Sequence, residues 1–574
     1  MTAPTRVKFY ALPLIYLGTL LLLLLAAWLL LAGTQELRTP ADSARFGMTI
    51  VPLLAWLQLS LAVFFPAVLA AVNVAQEKDR RTLILLLLTH LRNSELVLGR
   101  LLATLLPLAV ALAATVPLFM LLRGFGGFSL YQLLVMLGIQ ALTALLTASL
   151  GSLLALWREK TFLSLALTLL TIGIWLGFWS AVASGLLGES WRGYSTADWA
   201  ATFSPFAALG QSLQPLGLER QPWPYVGSPV WAYVAFAATG TLVLNGIAIW
   251  RLRVWNPPRE IVPANLKETT TPDQTASPRD IHAAPGKTRP VWANPILWRE
   301  VRTWAYGKKI LWVKAVYGMV FAAVVWALAT RAGGMAPTRE TLAVMLGPLL
   351  MLSLILINAL AVNSLSNEKD LGALDLLLVT DLSPREFIYG KLLGIAYGAK
   401  ELILLPLALI AGLWLTGWCN TASLIYLSLG LLTLVSFAAM LGVHVGLTYD
   451  NSRTAIAVSL GTIFFLLVGI GICMRILIAF GNTSLEIQLV AFSAVMAGGG
   501  VGMYAALGLR NPSPAIALAS CLCPIGTFLL FMFFLSGGVV HVFLLTVGIY
   551  GFGTLAMLIP AIDAFDVATG RTTE

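Results

Sequence analysis

Long apolar runs separated by short polar joints make up almost the whole chain. Stretches of about 20 residues or more, enough to cross a hydrocarbon core as helix, recur at roughly 11–32, 49–75, 96–122, 129–157, 162–187, 230–250, 310–329, 342–365, 388–418, 422–448, 454–480, 487–509, 515–535 and 539–562. This pattern predicts an all-α polytopic membrane protein. The longest polar gap, between Arg251 and Lys309, is too short for a nucleotide-hydrolysing domain of ordinary size. The opening "MTAPTRVKFYALPLIYLGTLLLLLLAAWLLLAG" has a short basic lead and an apolar run longer than a signal-peptide core. It reads as a first transmembrane helix, with a leader cleaved near Gly33 as the alternative.

Composition sharpens the class. At 574 residues the chain is 59% hydrophobic and 11% charged, with a mean hydropathy of +0.86, far outside the soluble range. With a cytoplasmic N-terminus and every run crossing, 28 of the 36 Lys and Arg fall on the cytoplasmic side or its helix ends. The other eight, Arg38, Arg45, Arg123, Arg192, Arg220, Arg331, Arg339 and Arg475, fall outside. The net charge of +10 is therefore a topology signal with some attraction to anionic lipid, not a nucleic-acid footprint. Cys419, Cys473, Cys521 and Cys523 make no metal quartet, and His90, His282, His444 and His541 are scattered, so neither a metal site nor a catalytic triad has support.

One charged stretch occurs twice. "EKDRRTLILLLLTHLRNSELVLGR" (Glu77 to Arg100) and "EKDLGALDLLLVTDLSPREFIYGK" (Glu368 to Lys391) align without gaps at an offset of 291 residues. Glu77 pairs with Glu368, Lys78 with Lys369, Asp79 with Asp370, Thr89 with Thr380, Glu95 with Glu386, Gly99 with Gly390 and Arg100 with Lys391. Six crossings separate the copies, so both lie on one face and the repeat is parallel. The organisation is a first six-helix unit over 1–253, a Pro/Thr-rich linker over 254–293, an amphipathic helix over 294–309 and a second unit over 310–574. The total is 12 to 14 crossings. In "NPILWREVRTWAYGKK", Leu297, Val301 and Trp304 form the apolar stripe and Arg299 and Arg302 point elsewhere.

Each copy opens with Glu-Lys-Asp after a long helix, continues through a Leu-rich turn or two, and re-enters the membrane at Gly-Arg or Gly-Lys. It reads as a docking element whose apolar side rests on helix ends and whose charges face a partner; a solvated interfacial loop is the bland alternative. The docking candidates are Glu77, Lys78, Asp79, Arg80, Arg81, Thr89 and Arg92, with Glu368, Lys369, Asp370, Thr380, Asp381 and Arg385 in the second copy.

These stretches resemble the ATP-binding-cassette type-2 permease family, in which a Glu, basic residues, Gly-Thr, "LLLTP" and "GK" follow the second helix of each unit. "LLLLT" ending at Thr89 and "LLLVT" ending at Thr380 carry the likeness, and "NPILWRE" resembles the family's elbow helix. The pattern departs where His90 and Asp381 replace Pro and where Gly-Thr becomes Arg81-Thr82 or Gly372-Ala373. The resemblance implies coupling helices over about 77–92 and 368–385 that rest on cassette-type ATPase subunits, either two copies or a heteropair. It also implies export by alternating access across a bacterial inner membrane, with both termini cytoplasmic. ATP and Mg would bind the partner, with no cofactor in this chain.

Other motifs fail or stay open. "APGKT" (Ala284 to Thr288) lacks the first Gly of a phosphate loop, Ile281 standing there, and "LSGG" (Leu535 to Gly538) joins two apolar runs without any Walker motif upstream. The chain is therefore expected not to hydrolyse ATP by itself. "TFSPFAALG" (Thr202 to Gly210) and "NPSPAIALA" (Asn511 to Ala519) look related; a re-entrant pair around the second gives twelve crossings, which symmetry favours, and two more crossings give fourteen, which Arg510 favours by charge. "AGGGVGMYAALG" (Ala497 to Gly508) reads as close helix packing. Lys400 and Glu401 are a candidate intramembrane charge site, although i, i+1 neighbours cannot pair on a helix, and the alternative is a crossing that begins at Leu402. Two other functions compete: an ion-coupled secondary transporter using Lys400 and Glu401, and a membrane assembly or maturation factor working with an ATPase.

Overall fold

Apolar length sets the elements and polar joints end them. A computed structural model describes residues 7–32, 39–158, 160–214, 223, 227–257, 290–302, 310–332, 339–370, 372–374, 382–480, 485–510, 512–563 and 565. The "APGKT" stretch and most of the linker, Trp304 of the elbow, and Thr380 and Asp381 lie outside the described residues.

In the first unit α1 (Val7–Ala32), α2 (Pro40–Asp79), α4 (Asn93–Gly124), α5 (Leu130–Trp157), α6 (Thr161–Ala183) and α9 (Pro229–Trp255) are of membrane-crossing length. Between them lie three short helices, α3 (Thr82–Leu87), α7 (Thr196–Phe203) and α8 (Pro205–Ser212). Helix starts follow capping chemistry: Ser129 and Gln132 form a capping box on α5, and Ser228 before Pro229 opens α9.

The second unit begins with the elbow α10 (Pro295–Arg302), then α11 (Ile310–Ala332) and α12 (Arg339–Asp370). One crossing is broken: α13 (Pro384–Gly398) and α14 (Lys400–Leu415) meet at Ala399 with a 61° bend. Next come α15 (Thr421–Thr448), then α16 (Ser452–Phe464) running through a wide turn at Phe465–Gly469 into α17 (Ile470–Phe480). The chain ends with α18 (Leu485–Leu507), α19 (Pro514–Leu535), α20 (Val539–Leu545) and α21 (Gly551–Asp563), the last two joined by another wide turn.

The 291-residue offset is built into the helices. Shifted by that number, α5 covers Thr421–Thr448 and α4 runs from Pro384 to Leu415, the bounds of α15 and of the α13–α14 pair. The same close crossing recurs as well. A Cβ on Gly151 of α5 would lie 2.2 Å from the Ala67 carbonyl of α2, and one on Gly442 of α15 would lie 2.6 to 2.9 Å from Ala361, Val362 and Asn358 of α12. Small residues let these backbones approach, as membrane helices without a hydrophobic drive between them require. Buried polar side chains add interhelical bonds, including Asn245 Nδ2 to Ser149 (2.8 Å) and Asn358 Nδ2 to the Ala438 carbonyl (2.9 Å).

Among the described residues thirteen helices are long and apolar enough to cross a membrane, and the bent pair makes up to fourteen, six in the first unit and eight in the second. Leu507, at the end of α18, accepts a hydrogen bond from His444 Nε2 (3.0 Å), and Arg510 donates to the Thr448 carbonyl (3.3 Å). The Ser513-Pro514 start of α19 therefore follows at the end of α15 that adjoins the charged stretch. "TFSP" lies at the other face, where Trp175 of α6 donates to the Phe203 carbonyl and Gln132, at the start of α5, to that of Gln214. Their likeness reflects a shared Ser-Pro helix start, not a shared place in the fold. The glycines of α18 meet three neighbours in turn: Gly498 faces Leu22 of α1, Gly499 the ring of Phe465, and Gly500 the backbone of Ser520 and Cys521 in α19. This bears out close packing.

The units meet through α2 and α6 of the first against α16 and α12 of the second, with α1 on α17 and α18, and α11 on α6. Adding one methyl tests the recurrent crossing. Gly151→Ala is expected to destabilise the protein by about 1–3 kcal/mol through overpacking and to lower its unfolding midpoint in detergent. Gly138→Ala, in the same helix but facing open space, should leave the midpoint unchanged.

Candidate docking site on the charged face

The Glu-Lys-Asp triads face inward. Lys78 Nζ donates to the carbonyls of Leu156 and Arg158 (2.9 Å for Arg158), where α5 ends, and Lys369 Nζ to those of Leu447 and Tyr449 (3.4 Å for Tyr449), where α15 ends. A helix C-terminus leaves carbonyls unpaired and carries partial negative charge, so an ammonium is the fitting cap. Asp79 accepts from the Thr161 hydroxyl at the start of α6, and Asp370 from the Ser452 hydroxyl at the start of α16. Glu77 pairs with Arg100 (2.5 Å) and Glu368 with Lys391 (2.8 Å). Every partner set repeats at 291 residues. The two ends of each charged stretch pair with one another, and the triad fastens the second span of its unit to the third, fourth and fifth.

The charges of each stretch divide into two sets. Glu77, Lys78, Asp79, Glu368, Lys369 and Asp370 are half-buried and engaged within the protein, while Arg80, Arg81, Thr89, Arg92 and Arg385 are exposed. Sequence reading also missed the apolar part of the outward face. In α3, Leu83 and Leu87 are buried against α2, α4, α5 and α9, but Leu85 and Leu88 are 65% and 67% exposed. The i, i+4 and i, i+3 periodicity of "TLILLLL" held that signal: two leucines down, two up. Arg253 of α9 donates to the Leu87 carbonyl (3.1 Å) and to Asn93 (2.9 Å), fixing the end of the short helix.

The repeat also explains the Gly of the Gly-Thr pattern. Gly372 has φ +66°, a left-handed conformation that glycine adopts at no steric cost, and Arg81 occupies the equivalent place at φ +58°. The first copy thus holds an arginine in a conformation glycine would favour, with its side chain exposed.

The second copy has an addition that the first lacks. The elbow α10 turns Ile296 and Glu300 inward, not the Leu297 and Val301 stripe, which is only partly buried. Gly390 and Gly394 of α13 make room for it: a Cβ on either would lie 2.7 to 2.9 Å from Asn294, Ile296 or Glu300. Lys391, 1% exposed, bridges Glu300 (2.7 Å) and Glu368, and Arg299 binds Glu368 and Glu300 (3.3 Å for Glu300). Burial pulls the Arg299 pKa down, but the two carboxylates outweigh it and hold it above the ordinary arginine value. The four charges cancel, as a buried cluster requires.

Lys400 and Glu401 part company. Lys400 lies over the Tyr397 ring at 4.7 Å, and Glu401 pairs with Lys314 of α11 at 2.6 Å. Both residues stand in the first turn of α14, just past the 61° bend.

Residues 33–250 match the family model described as ABC-2 family transporter protein. Over that unit the chain is similar to ABC-2 family transporter proteins, and its many long apolar helices make it a multi-pass membrane protein. No curated protein and no solved structure matches it.

Two outcomes check the geometry. Arg81→Gly is expected to stabilise the protein and Gly372→Ala to destabilise it, each by about 1 kcal/mol, read as opposite shifts of the denaturation midpoint. Lys391→Ala leaves Glu300 and Glu368 to share Arg299 alone, one uncompensated negative charge in a buried cluster, and is expected to cost about 3–5 kcal/mol. Arg100→Ala leaves the more exposed Glu77 unpaired and should cost clearly less in the same assay.

Proposed function

We propose that this chain is the whole transmembrane part of an ATP-binding-cassette exporter, with two ATPase subunits, identical or a heteropair, docked on its two charged stretches. The observation that supports this best is the outward face of the first stretch: Leu85 and Leu88 exposed at a membrane-protein end, ringed by Arg80, Arg81, His90 and Arg92. Two exposed leucines beside four basic or imidazole side chains fit an apolar groove with an acidic rim on a soluble partner. The equivalent residues 375–381 lie outside the described residues, and the second dock is read from the repeat and from exposed Arg385.

Fusion accounts for the repeat, since a two-fold ATPase pair needs two docks on one face. That face is cytoplasmic by the distribution of Lys and Arg, which places both termini in the cytoplasm of a bacterial inner membrane. ATP and Mg belong to the partner. Export fits better than uptake because the joints of the opposite face are too short for a substrate-capturing domain. The secondary-transport reading is weakened by Lys400 and Glu401 pointing to different partners, with the Glu401 carboxylate already neutralised by Lys314.

The test is co-purification from native membranes. A cassette ATPase is expected with the tagged wild-type chain and is expected to fall by at least roughly tenfold with Leu85→Asp/Leu88→Asp, the effect of placing charge in an apolar interface core. A gently solubilised wild type that brings down no such ATPase contradicts the proposal.

A further inference from the structure

We infer that Asn73, Gln76 and Arg80 of the first unit and Asp370, Asn451 and Arg453 of the second form a gate across the charged end of the inter-unit interface. Nothing in the repeat requires them to meet. Asn73, Gln76 and Arg80 stand at i, i+3 and i+7, one face of the last turns of α2. Each meets the other unit: Arg453 donates to Asn73 (2.9 Å), Gln76 to Asn451 (3.0 Å), and Arg80 pairs with Asp370 (2.8 Å).

Beneath this polar row lies an aromatic plug. Phe65 of α2 meets Phe464 of α16 edge to face at 5.3 Å, Phe64 lies 6.3 Å from the same ring, and Gly461 leaves room for Phe65. Phe65 is eight residues before Asn73, about 12 Å deeper along the helix. The row and the plug therefore hold the same seam between the units at two depths.

The chemistry suits a closure that must open. Within each unit the spans are held by half-buried ammonium caps and backbones packed on glycine. Between units, at this end, they are held by side-chain contacts in which Arg80, Asn451 and Arg453 are exposed while the Asp370 side chain is only 5% exposed. Contacts with an exposed partner are screened by water and hold weakly, so this seam opens more readily than either unit comes apart. The row is also asymmetric: the position 291 residues after Arg80 is Leu371 and the position 291 before Arg453 is Phe162, so neither cation has a mate across the pseudo-two-fold axis. Arg80 caps α2 and stands two residues before the short helix α3, so a pull on that helix reaches the gate first. This last link rests on the docking reading; the gate itself does not.

The test needs no ATPase. Gly461→Cys places a thiol against Phe65, below the row, and its modification by a membrane-impermeant maleimide is followed in inverted membrane vesicles by peptide mass spectrometry. Arg80→Ala/Arg453→Ala is expected to raise the rate at position 461 by roughly five- to tenfold, the scale set by loss of a few exposed polar contacts. Arg80→Lys, which keeps the cation, should label like the parent. A Gln76→Cys/Asn451→Cys pair should cross-link on oxidation and do so more slowly once Arg80 is Ala. Equal labelling in the parent and the double variant overturns the gate, as does failure of the cysteine pair to cross-link in chains that reach the membrane at normal abundance. Neither outcome bears on whether an ATPase docks at Leu85 and Leu88.

Discussion

A lysine ammonium set on the open carbonyls of a helix end holds each half of this protein together. Lys78 does this for α5 and Lys369 for α15, and the neighbouring acid on each side fixes a further span. Without these ties, four helix ends would meet at the membrane surface with unpaired carbonyls and hydroxyls, at a place where lipid headgroups and water compete for them. Three consecutive charged residues thus set the relative positions of spans two to five. The short helix α3 that follows in the first unit rests on the ends of these spans through Leu83 and Leu87.

The division of labour within the charged stretch follows. The residues that look like a docking motif by their charge are the internal framework. The residues that face outward are two leucines and a fringe of arginines, in a helix too short to be stable alone and held by burial of the other two leucines. Its left-handed lead-in, Arg81 in one copy and Gly372 in the other, sets the angle at which it leaves α2. The second unit reinforces the same framework of ties with its elbow and a neutral four-charge cluster.

Much of this was legible in the sequence. The spans followed from apolar length, and the repeat at 291 residues predicted helices whose bounds coincide to the residue in α5 and α15. Side-chain direction was less accessible. Glu77, Lys78 and Asp79 look solvated because their partners are backbone carbonyls and distant hydroxyls, which leave no mark in a pattern of charges. The elbow was read from its apolar stripe, yet the face that packs is chosen by Gly390 and Gly394 and by a buried glutamate seeking cations. Lys400 and Glu401 are neighbours in sequence, and the helix period sends them apart, Glu401 to Lys314 on another span. The Ser-Pro motifs matched because both start helices, and the long run before the second one carried it to the other face.

The central claim is that one chain supplies both docking platforms. The mass of the gently solubilised, tagged complex measures this directly, by native mass spectrometry or mass photometry. The account predicts one 61.6 kDa chain with two ATPase subunits. A complex of two such chains with two ATPase subunits, one per chain, would contradict it.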